Sequence, residues 1–264
     1  MLKKLIILPF IITLSYPQLK DSQTQSLKEL RNIVENASRA NQKVWLEDFT
    51  GINWTFCPNA SFAIDSLIQD FPGVLNTIEW HSPNYTPNSG EGSDLATVGL
   101  GCSDETLEEG IVYFNRANLY GVGGIPHLQW NGIDEIVGAG SPWWDRYDDY
   151  YPLIVDYSNQ QTPYEIEITG AYVSGDPSVP YEITVIQGGG SPGENMALEI
   201  VVAEDSIYSF WSSPSVYHYT RNVSRNYLTY HEECKNILEL SNGESQTFSG
   251  SFEISGAWVG DNLK

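Results

Sequence analysis

Residues 43–61 read "KVWLEDFTGINWTFCPNAS", and the fold turns on how this stretch changes character along its length. KVWLEDF (43–49) is a short, mostly apolar run closed by Thr50-Gly51, the pattern of a buried strand. CPNASFAIDSLIQDF (57–71) then spaces Ala60, Ile64, Leu67, Ile68 and Phe71 along one helical face. Pro58 stands in the first turn, where a missing N–H costs nothing, and Pro72-Gly73 stops the helix. Cys57 therefore stands at the start of a helix, and an attacking thiol needs exposure at such a terminus, where unsatisfied N–H groups and the helix dipole lower its pKa. Dithiol exchange needs a second thiol one turn away, and this loop holds one cysteine.

Working outward, VLNTIEWH (74–81) is a second strand, followed by a Ser/Pro/Asn/Gly-rich loop from Ser82 to Ser93. A helix is expected from the N-cap Ser103 through Leu107, Ile111 and Phe114 to about Asn118. YGVGGIPHLQWNGIDEIVG (120–138) gives two strands around Asn131-Gly132, a hairpin signal. SPWWDRYDDYYPLIVDYS (141–158) reads as a helix, bent or restarted at Pro152. Strand, helix, strand, helix, hairpin, helix predicts an α/β domain over residues 43–160, with helices on both sides of a mixed sheet.

After Gln161 the texture changes. PYEIEITGAYVS, PYEITVIQ, MALEIVVAEDSI, NYLTYHEEC and QTFSGSFEI alternate apolar and polar residues between Gly/Pro/Ser/Asn turns. They predict an antiparallel, Ig-like β-sandwich over residues 161–264. The run Gly188 to Gly190 falls between strands and reads as a turn, not a phosphate loop before a helix.

The N-terminus, MLKKLIILPFIITLSYPQ, sets two lysines before a short apolar run, the pattern of a secretory signal over residues 1–18. Residues 19–42 follow as a helical lead-in, with Leu27, Leu30, Ile33 and Val34 at helical spacing. No later run is apolar for long enough to cross a membrane, so the mature chain is expected to be exported, in a periplasm, at an outer membrane or outside the cell. The 13 basic and 34 acidic residues give a net charge of −21, a field that repels phosphate backbones and excludes nucleic acid as a partner. The chain has three cysteines, Cys57, Cys102 and Cys234, an odd number in a compartment that permits disulfides.

The first half resembles the thioredoxin fold at two separated places. YGVGGIPHLQWNG (120–132) is similar to the segment in which a cis-proline faces the active site, which makes Pro126 that proline and Ile125 the residue whose backbone meets a peptide or thiol substrate. The whole layout resembles the Omp-twenty-eight-related family of exported thioredoxin-like proteins, which carry a β-sandwich: LEDFTGINWTFCP, EWH and YGVGGIP match its motifs in order. LEIVVAEDSI, NVSR and AWVGDNLK look like its later strands. The resemblance aligns the family's first active-site cysteine with Trp54, so its Cys-x-x-Cys-Pro becomes Trp54-Thr55-Phe56-Cys57-Pro58. The chain ends at NLK where the family usually adds a strand, which leaves either a shortened gene or a sandwich lacking an edge.

Set beside that pattern, Cys57 holds the place of the second, more buried thiol, and Trp54 fills that of the attacking one. Cys57 is then either a small buried hydrophobe under its helix or a weak mixed-disulfide site, with Cys102 as a candidate bridging partner. His81 ends a strand near Cys57 and His127 follows Pro126, so both are candidates to face Trp54; without a ligand spacing they read as polar strand-end residues, and no metal or cofactor is expected. The aromatic run WWDRYDDYY reads as sheet packing or, if exposed, as a binding surface. The expected function is an exported, envelope-associated adaptor that binds a protein or peptide through a degenerate thioredoxin-like domain. The alternative is a thiol–disulfide oxidoreductase or mixed-disulfide carrier using Cys57.

Overall fold

The computed structural model describes residues 42–86, 95, 110–188, 196–212, 215–241, 243–255 and 258–264. The expected signal, nearly all of the expected lead-in, most of the Ser82–Ser93 loop, the expected helix start at Ser103 and Cys102 lie outside the described residues.

Strand β1 (Val44–Thr50), helix α1 (Cys57–Asp70), strand β2 (Leu75–His81), helix α2 (Ile111–Tyr120), strands β3 (His127–Trp130) and β4 (Asp134–Val137), and helix α3 (Trp143–Ser158) follow in the expected order. β1 and β2 run parallel; β3 lies antiparallel to β1, and β4 to β3. The β3–β4 turn holds Asn131 at φ 47° and Gly132 at φ 71°, the left-handed pair that an Asn-Gly hairpin requires. Gly121, at φ 66°, ends α2 and returns its N–H to the last turn. α3 is continuous through Pro152, so the expected restart does not occur; Tyr150 and Ile154 lock both halves of the helix into the core.

Alternation along β1 sorts the core. Val44 and Leu46, with Leu128 and Trp130 of β3, face α1 and α3 and pack on Ile64, Leu67, Phe71, Tyr150 and Ile154. Phe49, with Ile78 and Trp80 of β2, faces the other way onto Val112, Tyr113 and Ala117 of α2. On that second face Glu47 is buried and met by four groups: Arg116 Nε and Nη2, each at 2.7 Å, Tyr120 Oη at 2.7 Å and Trp80 Nε1 at 2.9 Å.

The remaining strands are β5 (Tyr164–Gly170), β6 (Ser178–Gln187), β7 (Ala197–Leu198), β8 (Val201–Glu204), β9 (Ile207–Trp211), β10 (Val216–Thr220), β11 (Val223–Tyr227), β12 (Asn236–Ile237) and β13 (Ser245–Glu253). They make up a β-rich part after the α/β part, but the expected limit near residue 161 does not separate two sheets. β11 and β8 extend the first sheet, giving the order β4-β3-β1-β2-β11-β8, with β11 parallel to β2 at Val223 and Glu79. β2 is buried on both faces, and an open flank there would leave backbone groups unpaired in the interior. Asn222 accordingly accepts the Glu79 N–H at 3.0 Å, and its side-chain amide donates to Thr77 Oγ1 at 2.8 Å.

Elsewhere β13-β6-β5 form an antiparallel sheet, covered at β6 by the pair β12-β7 through Ile183, Val185 and Leu198. β9 and β10 form a separate hairpin. NYLTYHEEC, expected to be a strand, continues β11 only to Tyr227 and then makes a short 3-10 turn at Glu232–Cys234.

Candidate functional site

β1 delivers the chain to Thr50-Gly51, five residues turn, and α1 begins at Cys57. The turn is tight: Gly51 O accepts the Trp54 N–H at 3.3 Å, and Trp54 O accepts the Cys57 N–H at 3.2 Å. Gly51 is needed because a Cβ there would come within 2.6 Å of the Tyr85 Cβ. Tyr85 O in turn accepts the Asn53 N–H at 2.9 Å.

The residues singled out from sequence split between surface and interior. Trp54 is 37% exposed and leans on Tyr85, ring centroids 5.0 Å apart, and Phe56 is 47% exposed. Thr55 between them is exposed too. Pro58 is buried in the first turn of α1. The Ile125–Pro126 peptide is cis, and Ile125 packs beside Ile52 and Cys57. Gly51, Trp54, Cys57 and Ile125 are therefore gathered at one end of the sheet.

His127 is not. It pairs with Phe49 on β1 and stacks edge-on to that ring at 5.8 Å, on the α2 face of the sheet. Cys57 and His81 lie on the opposite face, so the two histidines do not converge. Strand alternation is the cause: Phe49 and Thr50 point to opposite sides, and His127 follows Phe49. Among the described residues no three His, Cys, Asp or Glu side chains are grouped to hold a metal ion.

Cys57 is a free thiol and fully buried, so the Cys57–Cys102 bridge is not formed. Cys234 is disulfide-bonded. Burial pushes the Cys57 thiol far above its ordinary range, and the Asp48 and Glu79 carboxyls push the same way. The Thr50 hydroxyl and the Gly51 backbone oppose them and are outweighed. The helix N-terminus does not rescue the thiolate, because a desolvated charge costs more than a terminal dipole returns.

Sequence reading missed the polar floor beneath the thiol. Parallel register sets Asp48 beside Glu79 and Thr50 beside His81, all four buried on the α1 face. Burial, then the neighbouring Glu79, raises Asp48 well above the usual carboxylate range, and among the described residues neither of its oxygens has a hydrogen-bond partner. Burial lifts Glu79 to about 8 against the opposing pull of Arg221. Burial, with the charge of Arg225, drops His81 to about 3. The 3.1 Å contact between Glu79 Oε2 and His81 Nε2 is thus a hydrogen bond between a neutral acid and a neutral imidazole at pH 7. The period-2 spacing Glu79-Trp80-His81 and the matching Asp48-Phe49-Thr50 were the available signal.

The lid was missed as well. Trp211 of β9 is fully buried in one cluster with Cys57, Ile52 and Val223, edge-on to His81 at 6.0 Å, and its indole N–H reaches Ser209 Oγ at 3.0 Å. Ser212 Oγ donates to Ile52 O at 3.4 Å and also meets the Asn53 side chain. His218 of β10 stands edge-on to Phe62 of α1 at 4.9 Å and lies 3.5 Å from Asp65. The hairpin β9–β10 is thereby fastened across the start of α1 by side chains.

Among the described residues the site has no exposed thiol: a neutral Cys57 thiol lies buried with neutral acids and Trp211, beside an aromatic rim of Trp54, Tyr85 and Phe56. Among the described residues no helix is long and apolar enough to cross a membrane. No protein-family model matches this chain and no curated protein matches it. The chain is similar, at 19% identity over 80% of its length and 79% of the other's, to a solved structure of protein AGR_C_4864 from Agrobacterium tumefaciens, at a TM-score of 0.40 that carries no argument about fold or function.

Proposed function

We propose that this chain is an exported binding or envelope-associated adaptor protein of the Omp-twenty-eight-related kind, in which a thioredoxin-like domain is retained as a scaffold without dithiol catalysis. The observation that carries this is the position of Cys57: wholly buried in one cluster with Trp211 and with its thiol held protonated, while Trp54 occupies the surface position at which an attacking thiol would stand. The strand order β4-β3-β1-β2 and the cis Ile125–Pro126 bond beside Cys57 support the thioredoxin-like scaffold. The β13-β6-β5 sheet packed on β12-β7 supports a reduced Ig-like sandwich. A disulfide at Cys234 supports export, since such bonds persist in oxidising compartments.

The test is dithiothreitol-dependent reduction of insulin by the purified protein beside its Cys57→Ala variant. Equal rates, both at the level of dithiothreitol alone, are expected. A rate for the wild type well above that of Cys57→Ala would overturn the proposal.

A further inference from the structure

β5 runs YEIEITG over Tyr164–Gly170, and all of its residues after Tyr164 are exposed. It pairs with β6 over seven consecutive residues without a bulge, and among the described residues nothing pairs with its other side. Edge strands are commonly protected by lysine, proline or a bulge, and β5 has none of these.

The two faces of β5 differ. Ile166 and Ile168, 55% and 71% exposed, lie opposite Val185 and Ile183 of β6, which are buried under Leu198, Ile200, Leu238 and Phe248. The apolar stripe of a covered sheet thus runs out past its cover to the open edge. Glu165 and Glu167 alternate with the isoleucines and point to the other face.

We propose that the β5 edge is an interaction surface that takes an extended segment of a partner protein, one alternating apolar and basic residues, as an added strand. Backbone groups of β5 supply the pairing, Ile166 and Ile168 supply an apolar contact on one face, and Glu165 and Glu167 select lysine or arginine on the other. A second copy of this chain is disfavoured by the same alternation. Antiparallel self-pairing centred on Ile166 sets Glu165 opposite Glu167, and each copy carries a net charge of −21. The surface is separate from the Cys57 site, and the proposal stands whether or not that site is inert.

The test is fluorescence anisotropy of the full mature chain with a labelled peptide in which valine and lysine alternate. Saturable binding is expected, weakened about tenfold in the double variant Ile166→Ser/Ile168→Ser, whose exposed positions leave the circular dichroism spectrum unchanged. In Glu165→Lys/Glu167→Lys the preference moves to a peptide alternating valine and glutamate. Because a strand shows its N–H groups to alternate sides, N-methylation of one alternate set of peptide residues abolishes binding and of the other set does not. The proposal is overturned if the peptide does not bind, if Ile166→Ser/Ile168→Ser binds as well as wild type, if both methylated peptides behave alike, or if sedimentation shows a dimer that this double variant abolishes.

Discussion

Trp211 and Cys57 share one buried apolar cluster, both side chains fully buried, although one belongs to the β-rich part and the other opens the first helix of the α/β part. Inaccessibility of the thiol is therefore a tertiary property, imposed by a hairpin that shares no sheet with the strands beneath it. An isolated two-stranded hairpin is marginal in water, so β9–β10 holds its place through Trp211, Ser212 and His218.

Truncating the lid should uncover the thiol. Trp211→Ala is expected to lower stability by about 3–5 kcal/mol and to make Cys57 alkylate in the native protein, where wild type reacts only after denaturation. Trp211→Phe, which retains most of the cover but loses the indole N–H bond to Ser209, should give an intermediate rate. Stopped alkylation followed by mass spectrometry reads all three.

The contrast between positions 54 and 57 can be read within one molecule. In Trp54→Cys the new thiol replaces a side chain that is 37% exposed, so it should react with iodoacetamide in the native state while Cys57 beside it stays unmodified. Peptide mapping after a short pulse checks this; equal labelling at both positions would contradict the burial of Cys57.

The legible part of the molecule was what local pattern dictates. Pro58 in a first turn, the apolar stripe from Ala60 to Phe71 and Asn131-Gly132 fixed α1 and the β3–β4 turn, and the motif order pointed to a cis Pro126 that is indeed cis. β11 was legible as strand through NVSR and the start of NYLTYHEEC, but not its place in the first sheet, because VSRNY is polar and does not look like an interior strand. It is buried only because Glu204 takes Arg225 at 2.6 Å, a partner that a linear reading cannot supply. Whether His127 could face Trp54 was open for a related reason: nearness to Pro126 in sequence says nothing of which side of the sheet its neighbour Phe49 occupies. Trp211 carried no signal at all, since the buried cluster it shares with Cys57 exists only after the chain has returned from its second half.

The Glu47–Arg116 pair predicts an asymmetry between single and double substitution. Arg116→Met leaves the Glu47 carboxylate buried with only Tyr120 and Trp80 as donors, and should cost about 3–5 kcal/mol. Glu47→Leu/Arg116→Met removes both charges and should recover most of that loss. Urea denaturation of the two variants and wild type measures the difference, and a double variant no more stable than Arg116→Met would show that the pair's value lies elsewhere.

The buried acids give stability a pH dependence whose sign follows from proton counting. Glu79 at about 8 and Asp65 at about 7, each raised chiefly by burial, keep their protons in the folded chain at pH values where the unfolded chain has released them, so stability falls as pH rises through that interval. Asp48, raised in the same direction, adds to the fall. His81 at about 3 and His218 at about 4, both lowered chiefly by burial, work the other way, but their effect on the slope fades as the unfolded histidines lose their protons around pH 6.5 and is nearly gone about one unit above it. Between about pH 6.5 and pH 8 the acids outweigh this fading contribution, and the free energy of unfolding should decline, most clearly in the upper half of the interval. Glu79→Gln keeps the shape and a hydrogen bond to His81 without a proton to lose, so its decline over the same interval should be visibly shallower. Urea titrations at pH 6.5, 7.25 and 8 on both proteins test this, and parallel curves would show that Glu79 ionises in the folded chain as freely as in the unfolded one.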